Sequence, residues 1–422
     1  MASAGAQMSI FDLPIELLQL LPQFLRDIED FMNLSSTCRT FRTVFSDTHP
    51  NTILRLADAA SRIFFRPDPY FLIAATAHQV SEWGLLCEEN ARILQTTFQH
   101  GVRALHDLCI EKAGLTMEDI RGLHAMRFTI INPTADMIDR AAGVQWYQQE
   151  DFWNGGASDA YTIHAEPVRA LFQIIIYGEL FGSGIRKYLD PNSNHPCHSL
   201  DTRLDYIKYC IPDVACWHNA RDDPYHPQVL PTGPYAPRNL PNWLRRQYDV
   251  RIEDPNQSGP QPPLYWVCGQ ENPQIVPDSE WPASGWPAQM PRPGEEHNEY
   301  FADQEALQHI ITSRRWREAW RKVRRHIGPD FEDKWRHELW GSVVQLYGLA
   351  GLEMLTPEGL ERWRSELQEI RDQISELRED QKAKSRRFRI NTRMVETTEA
   401  PCLLAEIAVC KGPWFRDWDE QD

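Results

Sequence analysis

The length and composition of the chain indicate a globular protein: 42% of its 422 residues are hydrophobic and 25% are charged, which excludes a fibrous or largely disordered chain. Its formal net charge of −16 argues against non-specific binding to nucleic acid or to an anionic membrane, because like charges repel. The nine cysteines are scattered and odd in number, which is not typical of a disulfide framework and favours the cytoplasm or the nucleus.

Neither a secretory signal nor a membrane span is predicted. Residues 1–10 lack the basic region and the long apolar run that a signal peptide requires. The most apolar stretch, residues 168–181, contains Gln173 and Glu179 and is too short to cross a bilayer. We therefore expect a protein without a membrane partner.

Apolar residues recur with helical spacing over the first half of the chain, so we predict a mostly α fold, with an N-terminal helical motif followed by an irregular helical body. Helices are expected at residues 15–25, 28–45, 69–83, 88–112, 116–127, 134–149, 166–188 and 200–210. Only residues 128–131 and 265–268 are typical of short strands.

The first two predicted helices carry apolar stripes within a very short segment. The stripes consist of Leu17, Leu18, Leu21, Phe24, Leu25 and Ile28, and then of Phe31, Leu34, Cys38, Phe41 and Phe45. Fewer than about 50 residues bury too little area to hide both stripes, so part of this surface must face another body. Pro22 removes a backbone hydrogen bond, and we expect the first helix to break at Leu21 and a new turn to begin at Pro22.

A motif runs through the same segment. It begins with Leu13-Pro14-Ile15-Glu16-Leu17-Leu18, continues through Phe24-Leu25 and Leu34, and ends with Cys38-Arg39-Thr40-Phe41. In this register, residues 9–56 resemble an F-box, in particular the fungal form. The resemblance covers about one-tenth of the chain.

The resemblance implies an adaptor and not an enzyme. The F-box-like segment would bind the Skp adaptor, and through it a cullin–RING ubiquitin ligase, while the rest of the chain would recruit a protein substrate of unknown identity. The residues that the resemblance places at the Skp surface are Leu13, Pro14, Ile15, Leu17 and Leu18. An apolar helix face that enters a partner's groove is a common mode of protein recognition.

Another interpretation stays open from the sequence alone. Residues 9–56 would then be a helical cap within the chain's own core, and the protein would be an interaction scaffold outside ubiquitin ligases. The two interpretations differ in whether the apolar face near the start of the chain is offered to another protein or sealed beneath the chain's later helices.

An enzyme would need a chemical site, and the sequence offers one weak candidate. A group of potential metal ligands lies within a short stretch and consists of His195, Cys197, His198, Cys210, Cys216 and His218. The group contains no Cys-x-x-Cys pair, so we predict no metal site and no cofactor. No phosphate loop, dinucleotide fingerprint or hydrolase elbow is present, and Gly182-Ser183-Gly184 is expected to end or bend a helix.

The composition divides the chain into four regions. Proline and glycine become dense after residue 211, where regular helices cannot continue, yet several Trp residues indicate that this stretch is packed on the body. The regions are the F-box-like motif at 9–56, a helical body at 57–217, a Pro-rich irregular segment at 218–300 and a C-terminal helical region at 301–422. Whether the chain after the motif is one domain or two stays open.

Two helices of the C-terminal region are patterned. The basic helix 314–325 is expected to pack by its Trp face and to pair with the chain's own carboxylates, including the acidic tail 417–422, and substrate binding is the alternative. The helix 357–387 has a capping residue in Thr356 and a proline at its first position, and its apolar seam is expected to pack on the same chain. Basic residues between 382 and 389 fit either a nuclear signal or a helix C-terminus.

Overall fold

A computed structural model describes residues 10, 13–134, 167–190, 195–211, 314–379, 385–390 and 393–411 of the chain. Among these residues the fold is almost entirely helical, with one short β-hairpin near the C-terminus. The predicted mostly α class is therefore confirmed. The Pro-rich segment 218–300, the strand-like residues 265–268 and the helix predicted at 134–149, apart from its first residue, lie outside the described residues.

The described elements fall into three consecutive groups. The N-terminal group consists of α1 (Ile15–Leu20), α2 (Ile28–Thr37), α3 (Arg39–Phe45), α4 (Pro50–Ala59) and α5 (Ser61–Phe64). The body consists of α6 (Tyr70–Leu85), α7 (Glu88–Gln99), α8 (Val102–Lys112), α9 (Met117–Met126), α10 (Pro167–Phe181), α11 (Arg186–Leu189) and α12 (Leu200–Cys210). The C-terminal group consists of α13 (Arg314–Ile327), α14 (Lys334–Gln345), α15 (Gly348–Glu353), α16 (Pro357–Glu376), β1 (Ser385–Ile390), β2 (Arg393–Thr398) and α17 (Leu403–Lys411).

Two segments predicted as single helices are each divided into two helices. Cys38 is extended, with φ −156° and ψ 165°, and its Sγ accepts a hydrogen bond from the Phe41 N–H at 3.5 Å, which caps α3. Gly101 separates α7 from α8 at φ 84°, a left-handed conformation that favours glycine. The predictions of continuous helices at 28–45 and 88–112 are therefore wrong.

The first helix ends where proline requires it to. After α1, Leu21–Phe24 form a 3-10 turn with Pro22 in its first positions. A proline is tolerated there because the first N–H groups of a helical turn have no partner within it. The predicted break in the helix is thus present. A second helix ends at glycines. After α10, the 3-10 turn Gly182–Ile185 ends the regular helix, as expected.

One strand prediction and one helix prediction differ from the structure. Residues 128–131, predicted as strand-like, belong to the π-helical turn Arg127–Ile131. Conversely, α16 stops at Glu376, and Arg386, Arg387 and Arg389, which were expected near the end of this helix, belong to β1. The antiparallel pairing runs from Ser385 opposite Thr398 to Ile390 opposite Arg393, so pairing with the following strand β2 decides the conformation of β1.

Helices α6 and α10 form the centre of the body. They pack on each other, and α6 also packs on α7 and α8. The helical stretch from Val168 to Leu189 has 22 residues and a mean hydropathy of 1.2, which suffices by length and composition to cross a membrane, but 78% of its apolar window is buried within the protein. The apolar run 168–181 that was considered from sequence is therefore prolonged in the structure by the 3-10 turn and α11. Its burial is typical of a core helix.

The C-terminal group packs on the body and shares one hydrophobic core with it. Helix α15 lies on α10, and α17 lies on α12. The contact of α10 with the C-terminal group is close, because a Cβ at Gly178 would lie 2.7 Å from the backbone nitrogen of Gly348. The four-region division made from sequence stays a prediction, but its second and fourth regions are in direct contact.

The two patterned C-terminal helices pack on their own chain. Trp320 and Val323 of the basic helix α13 are buried, and the Arg324 Nε lies 3.2 Å from Asp330 Oδ1. In α16, Leu367 and Ile374 of the apolar seam are buried. Thr356 caps α16 as predicted, because its Oγ1 accepts a hydrogen bond from the Gly359 N–H at 3.1 Å. The side chain of residue 316 and the acidic tail 417–422 lie outside the described part.

Candidate docking surface

The N-terminal motif has a small internal core. Helix α1 packs on α3, and α2 packs on both α3 and α4. The ring centroids of Phe31 and Phe45 lie 5.1 Å apart, and those of Phe41 and Phe45 lie 5.5 Å apart. Asp27 caps α2 by accepting hydrogen bonds from two backbone N–H groups at 3.0 Å. Buried aromatic rings and a satisfied helix terminus fix the relative position of these helices.

Contacts through α4 attach the motif firmly to the body. The Asn51 Nδ2 donates hydrogen bonds to the carbonyl oxygens of Ile110 at 2.7 Å and Ala113 at 3.2 Å. The Leu115 N–H donates to the Pro50 carbonyl oxygen at 3.1 Å, so the end of α8 and the start of α4 form a continuous contact. The motif is therefore held in one place on the body by its inner side.

The outer side of the motif remains apolar although it faces solvent. Its exposed large apolar side chains are those of Ile10, Ile15, Leu17, Leu20, Phe24 and Met32. Six such side chains within 23 residues of sequence are dense for a surface, since exposed apolar groups that gather in one place mark interaction sites. This apolar outer side is called the docking face below.

The residues predicted to contact a partner divide between the docking face and the core. Ile15 and Leu17 are exposed, Leu17 by 48%, and Pro14 is exposed beside them. Leu13 is half-buried against the core cluster. Leu18 is only 3% exposed and lies within the core. The sequence prediction is corrected for Leu18, because α1 turns this side chain inward and α3 packs against the helix.

Four residues of the docking face were not predicted to contact a partner: Ile10, which precedes the predicted contacts, and Leu20, Phe24 and Met32. Leu20 and Phe24 follow Leu17 at intervals of three and seven residues, so an extension of the helical spacing would have found them. Met32 is different, because its exposure depends on the orientation of α2 relative to α3 after the division at Cys38. Only the folded chain reveals that residue.

The His- and Cys-rich segment does not form a metal site within the described residues, where no three potential ligands come together. His198 is buried, and its Nε2 lies 3.0 Å from the Ser81 Oγ. Burial lowers the pKa of His198 to about 4, so its ring is neutral at pH 7. Cys210 is buried elsewhere in the core, and residues 216 and 218 lie outside the described part.

Comparison with known proteins identifies the motif. The family model of the F-box domain matches residues 10–52 of the chain. The matched residues include α1, α2, α3 and the first residues of α4, which carry the docking face and the internal core beneath it. No curated protein and no solved structure matches the chain.

Proposed function

Because this chain is an F-box domain protein, we propose that it is a substrate-recruiting adaptor subunit of a Skp–cullin–RING ubiquitin ligase. F-box proteins are typically adaptors and not enzymes, and the F-box is the part that binds the Skp adaptor. The observation that carries the proposal for this chain is the docking face, which stays exposed although the opposite side of the same helices is buried.

In the proposed complex the docking face enters an apolar groove of the Skp adaptor. Pro14, Ile15 and Leu17 contribute contacts from the start of α1, and half-buried Leu13 borders them. Burying the exposed part of each large apolar side chain contributes roughly 1 kcal/mol, so several together favour a specific complex. Leu18 supports the face from inside and does not touch the partner.

The proposed mechanism is proximity and not local chemistry. The body binds a protein substrate, and the docking face holds that substrate near the ubiquitin-charged enzyme, which raises its effective concentration. The rigid attachment of the motif through α4 supports this mechanism, because it fixes the orientation of the body relative to the ligase. The proposal places the protein in the cytoplasm or the nucleus and includes no membrane or nucleic-acid partner.

Co-purification of the full-length chain with the Skp adaptor tests the proposal. We expect the double variant Ile15→Asp, Leu17→Asp to lose most of the bound adaptor, because two charges would enter the apolar contact. Leu86→Asp is the matched control, since Leu86 is an exposed leucine on the body. Thermal melting of each variant shows whether it is folded. Unchanged binding by the double variant, or no binding by the unaltered chain, would contradict the proposal.

Point variants separate the adaptor from a scaffold better than a deletion of residues 1–56 does. Ile53 and Leu54 of α4 belong to the shared core, so a deletion that includes them would destabilise the body under either hypothesis. A folded chain that binds no Skp adaptor would favour an interaction scaffold outside ubiquitin ligases.

A further inference from the structure

A basic surface with apolar centres lies where α5 meets the π-helical turn after α9. It consists of Arg62, Ile63, Arg66, Arg127 and Phe128, and is called the arginine patch below. The Arg127 Nη1 donates hydrogen bonds to the carbonyl oxygens of Phe64 at 2.6 Å and Ile63 at 3.4 Å. These bonds hold the two elements next to each other, although more than 60 positions separate Ile63 from Arg127 in sequence.

The apolar side chains of the arginine patch point outward. Ile63 is 67% exposed and Phe128 is 58% exposed. Arg62 and Arg66 are exposed beside Ile63, and the Arg66 Nε donates to the Arg62 carbonyl oxygen at 2.6 Å. The ring of His124 lies 5.0 Å from that of Phe128, which extends the surface along α9. An isoleucine and a phenylalanine exposed among arginines form a surface that is both apolar and positive.

The positive charge of the arginine patch is not neutralised within the described part of the chain. There, Arg62, Arg66 and Arg127 form no ion pair with a carboxylate. The two nearest carboxylates in sequence have other partners: Asp58 lies 2.9 Å from the His106 ring, and Asp68 lies 2.9 Å from the Arg103 guanidinium.

From this geometry we propose that the arginine patch binds an acidic segment of a partner protein that also carries an aliphatic or aromatic side chain. Carboxylates of that segment pair with Arg62 and Arg66, because the planar guanidinium binds carboxylates through two parallel hydrogen bonds. Its apolar side chain packs between Ile63 and Phe128. The inference deepens the proposed function. Only one part of it rests on that function, namely that the bound segment belongs to the recruited substrate.

The observations favour an acidic peptide over a nucleic acid. A nucleic acid is repelled along its whole length by the net charge of −16, whereas a short peptide experiences mainly the local patch. The patch also extends over only two short elements, which allows few phosphate contacts. Arg127 acts as a positioning residue, because its guanidinium holds α5 through backbone carbonyl oxygens.

A matched pair of double variants tests the proposal. The test variant is Arg62→Glu, Ile63→Ser, and the control is Arg92→Glu, Ile93→Ser, because Arg92 and Ile93 are adjacent residues on α7 and Ile93 is exposed in the same way as Ile63. Both variants change the net charge equally and leave Arg127 intact. The full-length chain selects binders from a displayed peptide library with equal shares of acidic–apolar, basic–apolar and neutral sequences.

We expect acidic–apolar peptides to be enriched, and the affinity of a selected peptide, measured by fluorescence anisotropy, to fall about tenfold in the test variant. The control is expected to change that affinity less than about twofold. Enrichment without an acidic bias, no enriched peptide, equal binding by both variants, or preferential binding of a single-stranded oligonucleotide to the patch would each overturn the proposal.

Two further measurements check that the arginine patch is accessible and that it acts independently of the docking face. Ile63→Cys is expected to react with a maleimide as fast as the exposed native Cys87. Strong protection would mean that the chain itself covers the patch, and it would overturn the proposal.

The Ile15→Asp, Leu17→Asp variant is expected to retain peptide binding, and the patch variant is expected to retain the Skp adaptor. Failure of Skp binding alone would therefore contradict the proposed function and leave peptide binding by the patch established.

Discussion

Arg203 of α12 and Glu406 of α17 form an ion pair in the interior of the protein. The Arg203 Nε donates to the Glu406 Oε1 at 2.7 Å, and the two side chains are only 1% and 0% exposed. The Tyr177 hydroxyl of α10 donates to the other carboxylate oxygen at 2.8 Å. The Arg203 Nη groups donate to the carbonyl oxygens of His198 at 3.2 Å and Glu399 at 3.0 Å. This network fixes the C-terminal helix to the body.

Glu406→Leu is expected to lower the free energy of unfolding by about 3–5 kcal/mol, because it leaves the Arg203 charge buried without its counter-charge. The double variant Arg203→Met, Glu406→Leu is expected to recover a large part of the loss, since both charges are then removed. Urea unfolding followed by circular dichroism measures the difference. Asp201→Asn is the control on the same helix, because Asp201 pairs with Arg386 at the surface and is expected to contribute less than about 1 kcal/mol. Equal losses in the single and double variants would contradict the prediction.

The buried His198 predicts a loss of stability in mild acid. Its pKa is about 4 in the folded protein because of burial, and that of an unfolded histidine is about 6.5. Between these values the unfolded chain binds a proton that the folded chain does not. The contribution of His198 is therefore complete above pH 6.5 and is lost as the pH falls towards 4, by up to roughly 3 kcal/mol.

Unfolding free energies of the unaltered chain and of His198→Gln, measured from pH 4 to pH 8, isolate this contribution. Their difference is needed because burial raises the pKa of Glu179 to about 7, and Glu179 then affects stability in the opposite direction over the same range. We expect the amount by which His198→Gln is less stable than the unaltered chain to become smaller as the pH falls below 6.5. A difference that stays constant over the whole range would mean that the His198 ring is accessible to protons in the folded state.

Two glycine variants are expected to change stability in opposite directions. Gly348 has φ +56°, and a Cβ there would overlap the Glu179 Oε1, which accepts a hydrogen bond from the Leu349 N–H at 2.7 Å. Gly348→Ala is therefore expected to cost at least about 1–2 kcal/mol. Gly122→Ala in α9 is expected to stabilise the protein by about 0.5–1 kcal/mol, because a Cβ at Gly122 meets no atom within 4 Å. Urea unfolding measures both variants, and a neutral Gly348→Ala would contradict the proposed close contact.

The sequence predicted those features that depend on neighbouring residues. Helix α12 (Leu200–Cys210) begins and ends where its periodicity indicates, and the Thr356 cap and the break at Pro22 follow from local backbone chemistry. The F-box motif was likewise recognisable, because its residues lie close together in the chain. Each of these features is determined within a few residues of the sequence.

The features that were missed depend on contacts between different segments of the chain and not on the residues of one segment alone. The basic run at 385–390 has no strong local preference for a strand, and its antiparallel pairing with β2 decides its conformation. The arginine patch exists because Arg127 holds a segment more than 60 positions away. Leu17 and Leu18 belong to the same apolar stripe in sequence, and only packing of α1 on α3 separates them into surface and core.

That separation gives a test with two readouts. Leu18→Ala is expected to lower the free energy of unfolding by about 2–5 kcal/mol, because it leaves a cavity in the core, whereas Leu17→Ala is expected to change it by less than about 1 kcal/mol. Binding of the Skp adaptor is expected to show the reverse order. Leu17→Ala would weaken it because it removes part of the docking face, and folded Leu18→Ala would retain it. Urea unfolding and calorimetric titration with the adaptor measure the two effects, and a Leu18→Ala variant that is stable but does not bind would place Leu18 at the interface and not in the core.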